Sequence, residues 1–412
     1  MNPKTILVIG GGISGITTAV EAAETGYDVV LIEKLPYLGG RVVKMKEYFP
    51  KLCPPYCGLE INFRRIRQNP GIRVLTSAAV TKISGSIGNF TVNIHTGPEL
   101  INDNCTACGE CAKVCNAERS NEYNYFMDST KAVYLPHEMA FPYRYTIDSE
   151  ACSLCGKCKE VCKYEAIDLS RKASETEITA GAIVIATGWE HYNAKKIDNL
   201  GFGKYTDIIT NVMFERMIAD NGPTLGKIVR PSDGKEPENV VFVQCAGSRD
   251  EKHLPWCSAV CCTATLKHAM KIRKRIPGSK VHIFYIDLRV SGRNEDFLKK
   301  AESDENIRLI KGKAGSIEKD KTSGLLTVTA ENVITGRIIK QQADLVVLAT
   351  GMMPVNPLPV IIPGDPFGYI DRSRLPEGII AVSNTVRPMD VSSSLKDATA
   401  AALRAIQSIH SS

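Results

Sequence analysis

The stretch that decides the fold is "TILVIGGGISGITTAVEAAETGYDVVLIE", residues 5–33. Its apolar start, residues 5–9, predicts a short buried strand, and the glycines that follow predict a tight turn. Residues 16–24 then predict a helix, and residues 28–32 predict a second strand that ends at Glu33. Strand, glycine turn, helix and strand in this order predict the start of an α/β fold.

The three glycines have G-x-G-x-x-G spacing, and each has a mechanical reason. Gly10 permits the turn, Gly12 lets the backbone approach a pyrophosphate, and Gly15 lets the helix pack on the strand. Free N–H groups at the helix start would hold the phosphates, and Glu33, 18 residues past Gly15, could accept from ribose hydroxyls. The alternative is an ordinary glycine turn. The predicted dinucleotide site comprises Gly10, Gly12, Ile13, Ser14, Gly15, Glu33 and Lys34.

Composition limits the remaining choices. The chain has 412 residues, of which 43% are hydrophobic, so we expect two or three domains with substantial cores. No run of 18 apolar residues occurs and the chain opens on a strand, so we expect no membrane span, no export and a cytoplasmic location. The formal charge of +6 is mild, and the one dense basic run, residues 271–280, is typical of a solvated helix end. We therefore expect no nucleic-acid partner.

The composition is unusual in its fourteen cysteines. In an unexported chain, cysteines in such number indicate metal or redox chemistry. Residues 105–115 and 152–162 both have C-x2-C-x2-C-x3-C spacing, which is typical of bacterial ferredoxins, where the fourth cysteine ligates the other run's cluster. Gly109 and Gly156 occupy matching positions, whereas Asn116 and Lys163 replace the usual proline. Zinc is the alternative metal. The predicted [4Fe–4S] ligand sets are Cys105, Cys108, Cys111 and Cys162, and Cys152, Cys155, Cys158 and Cys115.

Three further segments bear on the dinucleotide. They are "LGGR" (38–41), "AIVIATG" (182–188) and "LVVLATG" (345–351). With the glycine loop they resemble the two-dinucleotide-binding, thioredoxin reductase-like flavoproteins, in which the first domain binds FAD and an inserted second domain binds NAD(P)H. The resemblance adds Gly40, Arg41, Thr187 and Gly188 to the expected FAD contacts.

The second dinucleotide domain departs from that class. Its strand is predicted at residues 239–243, but the loop that follows reads "QCAGSRDE" and has no second glycine motif. Cys257 and Cys261 would share one face if residues 256–273 are helical, with Cys262 beside them and Cys245 at the strand end. We therefore predict a third [4Fe–4S] site in place of the nicotinamide. The alternative is a set of buried structural cysteines.

The combination of these features resembles the family of heterodisulfide reductase A subunits. In that family a C…C-x3-C-C set that corresponds to Cys245, Cys257, Cys261 and Cys262 holds a [4Fe–4S] cluster. The segment "YFPKLCPPYCGLEIN" (48–62) and the compact length are most similar to the A subunits of quinone-interacting membrane-bound oxidoreductase complexes. That resemblance implies electron transfer from menaquinol toward adenylylsulfate reductase. It also implies a second flavoprotein subunit of the same type, a membrane haem and iron–sulfur subunit, and a peripheral position at the inner face of the membrane.

The resemblance predicts domain limits. FAD-binding segments are expected at residues 1–100, 171–235 (with a linker) and 345–412. A ferredoxin-like insert is expected at 101–170, and a degenerate NAD(P)H-type domain at 236–344.

Two features leave alternatives open. Cys53 and Cys57 in "CPPYC" could be a redox pair beside the flavin or part of a structural turn. Near the C-terminus Ser383 and Asn384 replace the expected glycine and aspartate, so Asp390 and Val391, ahead of a helix, are the better candidates for flavin contacts. An ordinary capped helix is the alternative there.

Other functions also remain possible at this point. They are a soluble heterodisulfide reductase-type subunit whose flavin bifurcates electrons, an NAD(P)H oxidoreductase similar to the small subunit of glutamate synthase, and a scaffold without turnover. His253 lies in the third cysteine loop and is expected to be solvated rather than a ligand. We expect the chemistry to belong to the cofactors.

Overall fold

The computed structural model describes residues 4–358 and 362–410. In these residues the strands are β1 (Ile6–Ile9), β2 (Val29–Ile32), β3 (Ile72–Leu75), β4 (Ala78–Ser86), β5 (Asn89–Thr96), β6 (Glu118–Ser120), β7 (Ser129–Lys131), β8 (Val133–Tyr134), β9 (Thr146–Ile147), β10 (Ser174–Ala180), β11 (Ala182–Ile185), β12 (Trp189–His191), β13 (Ile208–Thr210), β14 (Asn239–Ala246), β15 (Lys280–Tyr285), β16 (Ile307–Lys311), β17 (Ala314–Lys319), β18 (Leu326–Asn332), β19 (Arg337–Ala343), β20 (Leu345–Thr350), β21 (Met352–Pro354) and β22 (Ile379–Ala381). The α-helices are α1 (Ile13–Glu24), α2 (Tyr56–Gln68), α3 (Glu110–Lys113), α4 (Lys157–Glu160), α5 (Asn211–Met217), α6 (Cys261–Arg275), α7 (Glu295–Glu302) and α8 (Val391–His410).

The chain divides into two compact units. The first consists of Met1–Lys44, Pro55–Trp189 and Pro354–Ser412, and the second of Met45–Pro54 and Glu190–Met353. The chain therefore leaves and re-enters the first unit twice.

The first unit is built on a parallel sheet with the strand order β22-β11-β1-β2-β3. Strands β1, β2 and β11 are wholly buried and consist of aliphatic residues, as expected for a parallel sheet that is covered on both faces. Helices α1 and α8 pack together, and the Thr18 hydroxyl donates to the Ala398 carbonyl at 3.1 Å. An antiparallel sheet of β10, β5 and β4 shares a core with the parallel sheet. The predicted strand–helix–strand order is confirmed.

A segment inserted between β5 and β10 carries both ferredoxin-type runs and has a small core of its own. Ile101 and Ile167 form an isolated bridge that closes the segment. Its core contains Val133 and Ile147 from the short hairpin β8–β9, together with buried Cys111 and Cys158. The two runs therefore pack against the same few apolar side chains.

The second unit is built on a second parallel sheet, with the order β13-β20-β14-β15-β16. Residues of β14 alternate between two cores. Val241 and Val243 pack with the antiparallel sheet β17–β18–β19, whereas Val240 and Phe242 pack under α5 and α6. This alternation is the normal consequence of strand geometry.

The unit limits differ from the predicted domain limits. Strand β20 pairs with β13 and β14 in the second unit, whereas we had predicted that residues 345–412 belong to an FAD-binding segment. Residues 190–235 and 45–54 also lie in the second unit. The "VIATG" and "VLATG" strand ends are locally alike, because both terminate buried parallel strands, and this local pattern does not say to which sheet a strand belongs. Residues 1–3, 359–361 and 411–412 of the predicted segments lie outside the described residues.

Candidate functional site

The glycine loop between β1 and α1 has no room for side chains. An ideal Cβ on Gly10, whose φ is +110°, would lie 2.4 Å from the Ala186 carbonyl oxygen, and one on Gly15 would lie 1.8 Å from the Gly10 carbonyl oxygen. Gly12 caps α1 without a side-chain hydrogen bond, so the first turn, from Ile13, presents backbone N–H groups with no side-chain acceptor. This arrangement fits a pyrophosphate at the helix start.

Glu33 lies directly behind this loop and is buried. One carboxylate oxygen accepts from the Gly11 N–H at 2.6 Å, and the other accepts from the Leu35 N–H at 2.8 Å. Burial raises the pKa of Glu33, although these two backbone hydrogen bonds oppose the rise. Lys34 is exposed. A carboxylate held this firmly, beside the phosphate loop, fits the role of a ribose acceptor.

A second glycine segment lies against the first. An ideal Cβ on Gly40 would lie 2.8 Å from Gly12 Cα, so the two backbones touch. Arg41 is held away from the loop by Trp189, because Nε donates to the Trp189 carbonyl at 2.5 Å and the guanidinium carbon lies 4.8 Å from the indole centroid. The position of Gly40 against Gly12 fits the expected contact with FAD. The Arg41 side chain, by contrast, is already bound to Trp189.

The C-terminal contacts differ in part from expectation. Thr187 donates its hydroxyl to the Val355 carbonyl at 2.5 Å, and Gly188 has a φ of +74°. The Asp390 carboxylate accepts from the Ser393 N–H at 2.7 Å, so Asp390 caps α8, which begins at Val391. This cap is the role that we had given as the alternative.

The sequence puts flavin contacts at Ser383 in doubt, but the structure places this residue beside Ser14, next to the glycine loop. Ser383 is buried with a φ of +58°, and its hydroxyl accepts from the Ser14 hydroxyl at 2.8 Å. Its own N–H donates to Asp397 at 2.6 Å. Ser383 stands where the thioredoxin reductase-like flavoproteins are expected to have glycine. That position was the signal in the sequence, because glycine adopts a positive φ more easily than other residues.

The first ferredoxin-type set lines one small cavity. Cys105, Cys108, Cys111 and, from the other run, Cys162 all face it, with Tyr145 above. Burial raises the pKa of Cys111 to about 12, and the sulfurs of Cys105 and Cys108 add to the rise. The structure therefore brings Cys162 of the other run to the same cavity as Cys105, Cys108 and Cys111, and crossed ligation stays the prediction that the spacing makes.

The second set mirrors the first. Burial raises the pKa of Cys158, and the sulfurs of Cys152, Cys155 and Cys115 add to the rise, so these four thiols lie together. Gly109 and Gly156 have φ of +85° and +79° and each starts a short helix, α3 or α4. The missing prolines have not disturbed the symmetry of the two runs.

Crossed ligation predicts an unusual result for paired variants. Cys105→Ala and Cys162→Ala should each remove about four iron atoms, and the double variant should also remove only about four, because both residues serve one cubane. Cys152→Ala combined with Cys162→Ala is the matched control and should remove about eight. Iron analysis of anaerobically purified protein would show this, and a loss of about eight from the first double variant would contradict crossed ligation.

The third cysteine set consists of Cys245, Cys257, Cys261 and Cys262, all in the second unit. Burial raises the pKa of Cys261 well above its usual range, with further contributions from the sulfurs of Cys262, Cys245 and Cys257. Burial also raises the pKa of Cys245, to about 11. The structure therefore brings the four thiols together. Because the pKa values of Cys245, Cys261 and Cys262 are raised, iron binding to these thiols must release protons.

The local geometry of this set differs from the prediction. Helix α6 begins at Cys261, so Cys257 lies in the preceding loop and does not share a helical face with Cys261. Strand β14 extends to Ala246, and its pairing with β20 shifts register between Val243 and Ala246. Cys245 lies within this irregularity with a φ of +56°. Such a bulge re-aims a side chain, which explains how a strand residue joins thiols on a loop and a helix.

The thiols of this set are available as metal ligands, because none of them is in a disulfide. Cys261 and Cys262 donate weakly to the carbonyls of Thr350 (3.7 Å) and Asp287 (3.6 Å), and all fourteen cysteines are free of disulfides. No group of three or more His, Cys, Asp or Glu side chains among residues 4–358 and 362–410 is arranged around a single metal ion. A cubane differs from such a site, because its thiolates bind separate iron atoms.

The remaining candidates have separate environments. Cys53 belongs to the second unit, and its thiol donates to the Lys51 carbonyl at 3.9 Å, whereas Cys57 is exposed near the start of α2 in the first unit. His253 is hydrogen-bonded to the Tyr192 hydroxyl at 2.8 Å. The structure gives His253 a protein partner, which differs from the solvated state that we expected.

Comparison with known proteins agrees with this architecture. Residues 5–68 match the family described as FAD dependent oxidoreductase, and residues 145–168 match the 4Fe-4S binding domain. An iron–sulfur A subunit (number 2) of the CoB–CoM heterodisulfide reductase of Methanopyrus kandleri is 38% identical over 97% of this chain and 63% of its own length. The homologues of this chain are heterodisulfide reductase A subunits. The one from Methanocaldococcus jannaschii is also 38% identical, over 85% of this chain and 54% of its own length.

The chain thus spans only about half to two-thirds of the length of these heterodisulfide reductase A subunits. Among solved structures, thioredoxin reductase of Lactococcus lactis superposes with a TM-score of 0.55 at 16% identity, covering 99% of this chain and 100% of that one. The predicted fold class is therefore confirmed: a thioredoxin reductase-like FAD oxidoreductase with a [4Fe–4S] domain. The oxidoreductase class, FAD and at least one [4Fe–4S] cluster are confirmed with it. No helix in the described residues is long and apolar enough to cross a membrane.

Proposed function

We propose that the chain is the FAD and iron–sulfur electron-transfer subunit of a heterodisulfide reductase-type complex, with three [4Fe–4S] clusters. A bound flavin exchanges electrons in pairs or singly, and each cluster exchanges one at a time. The observation that carries the proposal is the third cysteine set at the end of β14. Where a nicotinamide domain would present a glycine loop ahead of its helix, this chain has Cys245 at the end of β14, Cys257 in the connection, and Cys261 and Cys262 in the first turn of α6.

This observation argues against hydride transfer from NAD(P)H. The segment at the end of β14 lacks the G-x-G-x-x-G spacing that lets the backbone approach the pyrophosphate of a second dinucleotide, and four cysteines lie between the end of that strand and the first turn of α6. We therefore expect anaerobic NADH to leave the flavin absorbance unchanged, while dithionite, the control, bleaches it. Bleaching by NADH at a catalytic rate would revive the NAD(P)H oxidoreductase and overturn this part of the proposal.

For the physiological role, we propose transfer between the menaquinone pool and adenylylsulfate reductase in dissimilatory sulfur metabolism. The support is the resemblance of residues 48–62. The partners would be a second flavoprotein subunit of the same type and a membrane haem and iron–sulfur subunit, which would hold the complex at the inner face of the membrane.

A soluble, electron-bifurcating heterodisulfide reductase-type complex is the second candidate. It is favoured by the names of relatives such as the A subunit of the H2:CoB–CoM heterodisulfide,ferredoxin reductase of Methanothermobacter marburgensis, 35% identical. Purification of the native complex separates the two. Co-purification of a haem protein that menaquinol reduces supports the quinone complex, whereas a disulfide-reducing subunit without haem supports the soluble one.

A further inference from the structure

Four of the buried polar side-chain atoms without a hydrogen-bond partner in the described part of the chain lie on β14 and α6. They are both amide atoms of Gln244, the hydroxyl oxygen of Thr265 and Nδ1 of His268. The three side chains are 2%, 0% and 1% exposed. Buried polar groups almost always have partners, so a group of three without any requires an explanation.

These residues lie on the two elements that carry most of the third cysteine set. Cys261, Thr265 and His268 follow the i, i+4, i+7 spacing of one helical face on α6. The His268 ring lies 6.3 Å from the ring of Phe242 on β14, and Gln244 is two residues further toward the end of that strand. The unpartnered atoms therefore lie on the strand and the helix that also carry Cys245, Cys261 and Cys262.

The protonation of His268 follows from its other nitrogen. Nε2 lies 2.5 Å from a carboxylate oxygen of Glu215. Burial raises the pKa of Glu215, but the charge of Lys267 and the hydrogen bond from His268 outweigh it and hold that pKa well below its usual range. Glu215 is thus ionised, Nε2 carries the hydrogen of a neutral imidazole, and Nδ1 is left with a free lone pair.

The surroundings of His268 are balanced in charge before it takes up a proton. Glu215 faces it from α5, and Lys267 and Lys271 affect it from α6. Glu47, on the segment 45–54, accepts from Lys271 at 2.7 Å and from Lys267 through its carbonyl at 2.7 Å. From β14 the aromatic ring of Phe242 faces it. The two carboxylates, of Glu215 and Glu47, and the two ammonium groups, of Lys267 and Lys271, sum to zero net charge around His268. Burial lowers the pKa of His268, and the hydrogen bond and charge of Glu215 oppose that change.

Leaving these groups dry would destabilise the folded protein, whereas a buried water molecule typically makes about three hydrogen bonds to such groups. We propose that Gln244, Thr265 and His268 bind ordered water that delivers one proton from solvent to Nδ1 of His268 when the centre in the third cysteine set accepts one electron. The inference rests on the proposed function, because it requires a redox centre at those cysteines. The reduced flavin of the proposed function supplies the electron. One Nδ1–H bond forms as one O–H bond of the ordered water breaks, and a proton from solvent restores that water.

The test is a potentiometric EPR titration of that centre at several pH values in the holoprotein. The wild-type midpoint potential should fall by about 59 mV for each tenfold fall in proton concentration, the one-electron factor. His268→Gln, which can still bond Glu215, should abolish the slope. His282→Gln on β15 is the matched control and should keep the slope, because His282 lies next to Val241 in the sheet and shares its face, away from α6.

A second pair of variants tests the water independently of the centre. If Thr265 holds water, Thr265→Val should lower the urea midpoint of unfolding and weaken the pH slope, and Thr265→Ser should restore both. If Thr265→Val instead leaves the midpoint unchanged or raises it, the site is dry and the proposal is wrong. A pH-independent wild-type potential would also overturn it. Absence of any EPR signal from the third cysteine set would refute the proposed third cluster, and the proton uptake with it.

Discussion

Replacing Gly15 with alanine is expected to remove FAD from the protein. The new methyl group would lie 1.8 Å from the Gly10 carbonyl oxygen, well inside van der Waals contact, and the opposing atom belongs to the backbone. Either α1 moves away from the loop or the loop itself moves, and both displace the N–H groups of Ile13 and Ser14. A shift that costs only 1.4 kcal/mol of binding free energy lowers affinity about tenfold, so we expect a loss of at least that size in flavin content.

The measurement is FAD per chain after gel filtration, with circular dichroism as a check on folding. Gly278→Ala is the matched control, because nothing lies within 4 Å of an ideal Cβ there, and it should retain the flavin. A Gly15→Ala protein with unchanged FAD content would mean that the cofactor does not depend on this loop, and the assignment of the site would be wrong.

The second large effect is expected at the third cysteine set. Anaerobically purified protein should contain about 12 iron atoms and 12 acid-labile sulfides per FAD, since each four-thiolate set holds one cubane. Cys257→Ala should lower both to about 8 and remove one EPR signal. The thiol comes from a loop with no regular structure of its own, so its loss should affect the metal more than the fold.

Cys53→Ala provides the control for that variant. Cys53 is a cysteine of the same unit that lies in none of the three sets, and its replacement should leave about 12 iron atoms. About 8 iron atoms in the wild type, unchanged in Cys257→Ala, would confine iron to the ferredoxin-type insert. Cys245, Cys257, Cys261 and Cys262 would then be structural, and the donor to the flavin would have to be sought elsewhere.

Much of this site could be predicted because its signals are local. The glycine loop, Glu33 and the two ferredoxin-type runs each combine a short spacing with a backbone requirement, and Gly10, Gly109 and Gly156 all have the positive φ that this implies. Even the crossed contribution of Cys162 followed from a repeat within 60 residues. Where chemistry depends on neighbours in the chain, the sequence is sufficient.

Other parts depended on neighbours in space, and here the prediction failed or was incomplete. Strand β20 resembles β11 in sequence but lies between β13 and β14 in the other sheet, and the local pattern of residues does not contain that choice. Helix α6 begins at Cys261 and not before Cys257, and a bulge in β14 re-aims Cys245. Ser383 was discounted for its residue type, yet its hydroxyl meets Ser14 from 369 residues away.

The sequence by itself thus determined the fold class, and it predicted the flavin loop and the cysteine sets, since strand, turn and ligand spacing are properties of short segments. Only the tertiary structure decided how the thiols of the third set converge and what surrounds them. The unpartnered atoms of Gln244, Thr265 and His268 are the clearest case. Nothing in the sequence marks a glutamine, a threonine or a histidine as lacking a partner, because burial and hydrogen bonding are properties of packed surfaces that meet only when the chain has folded.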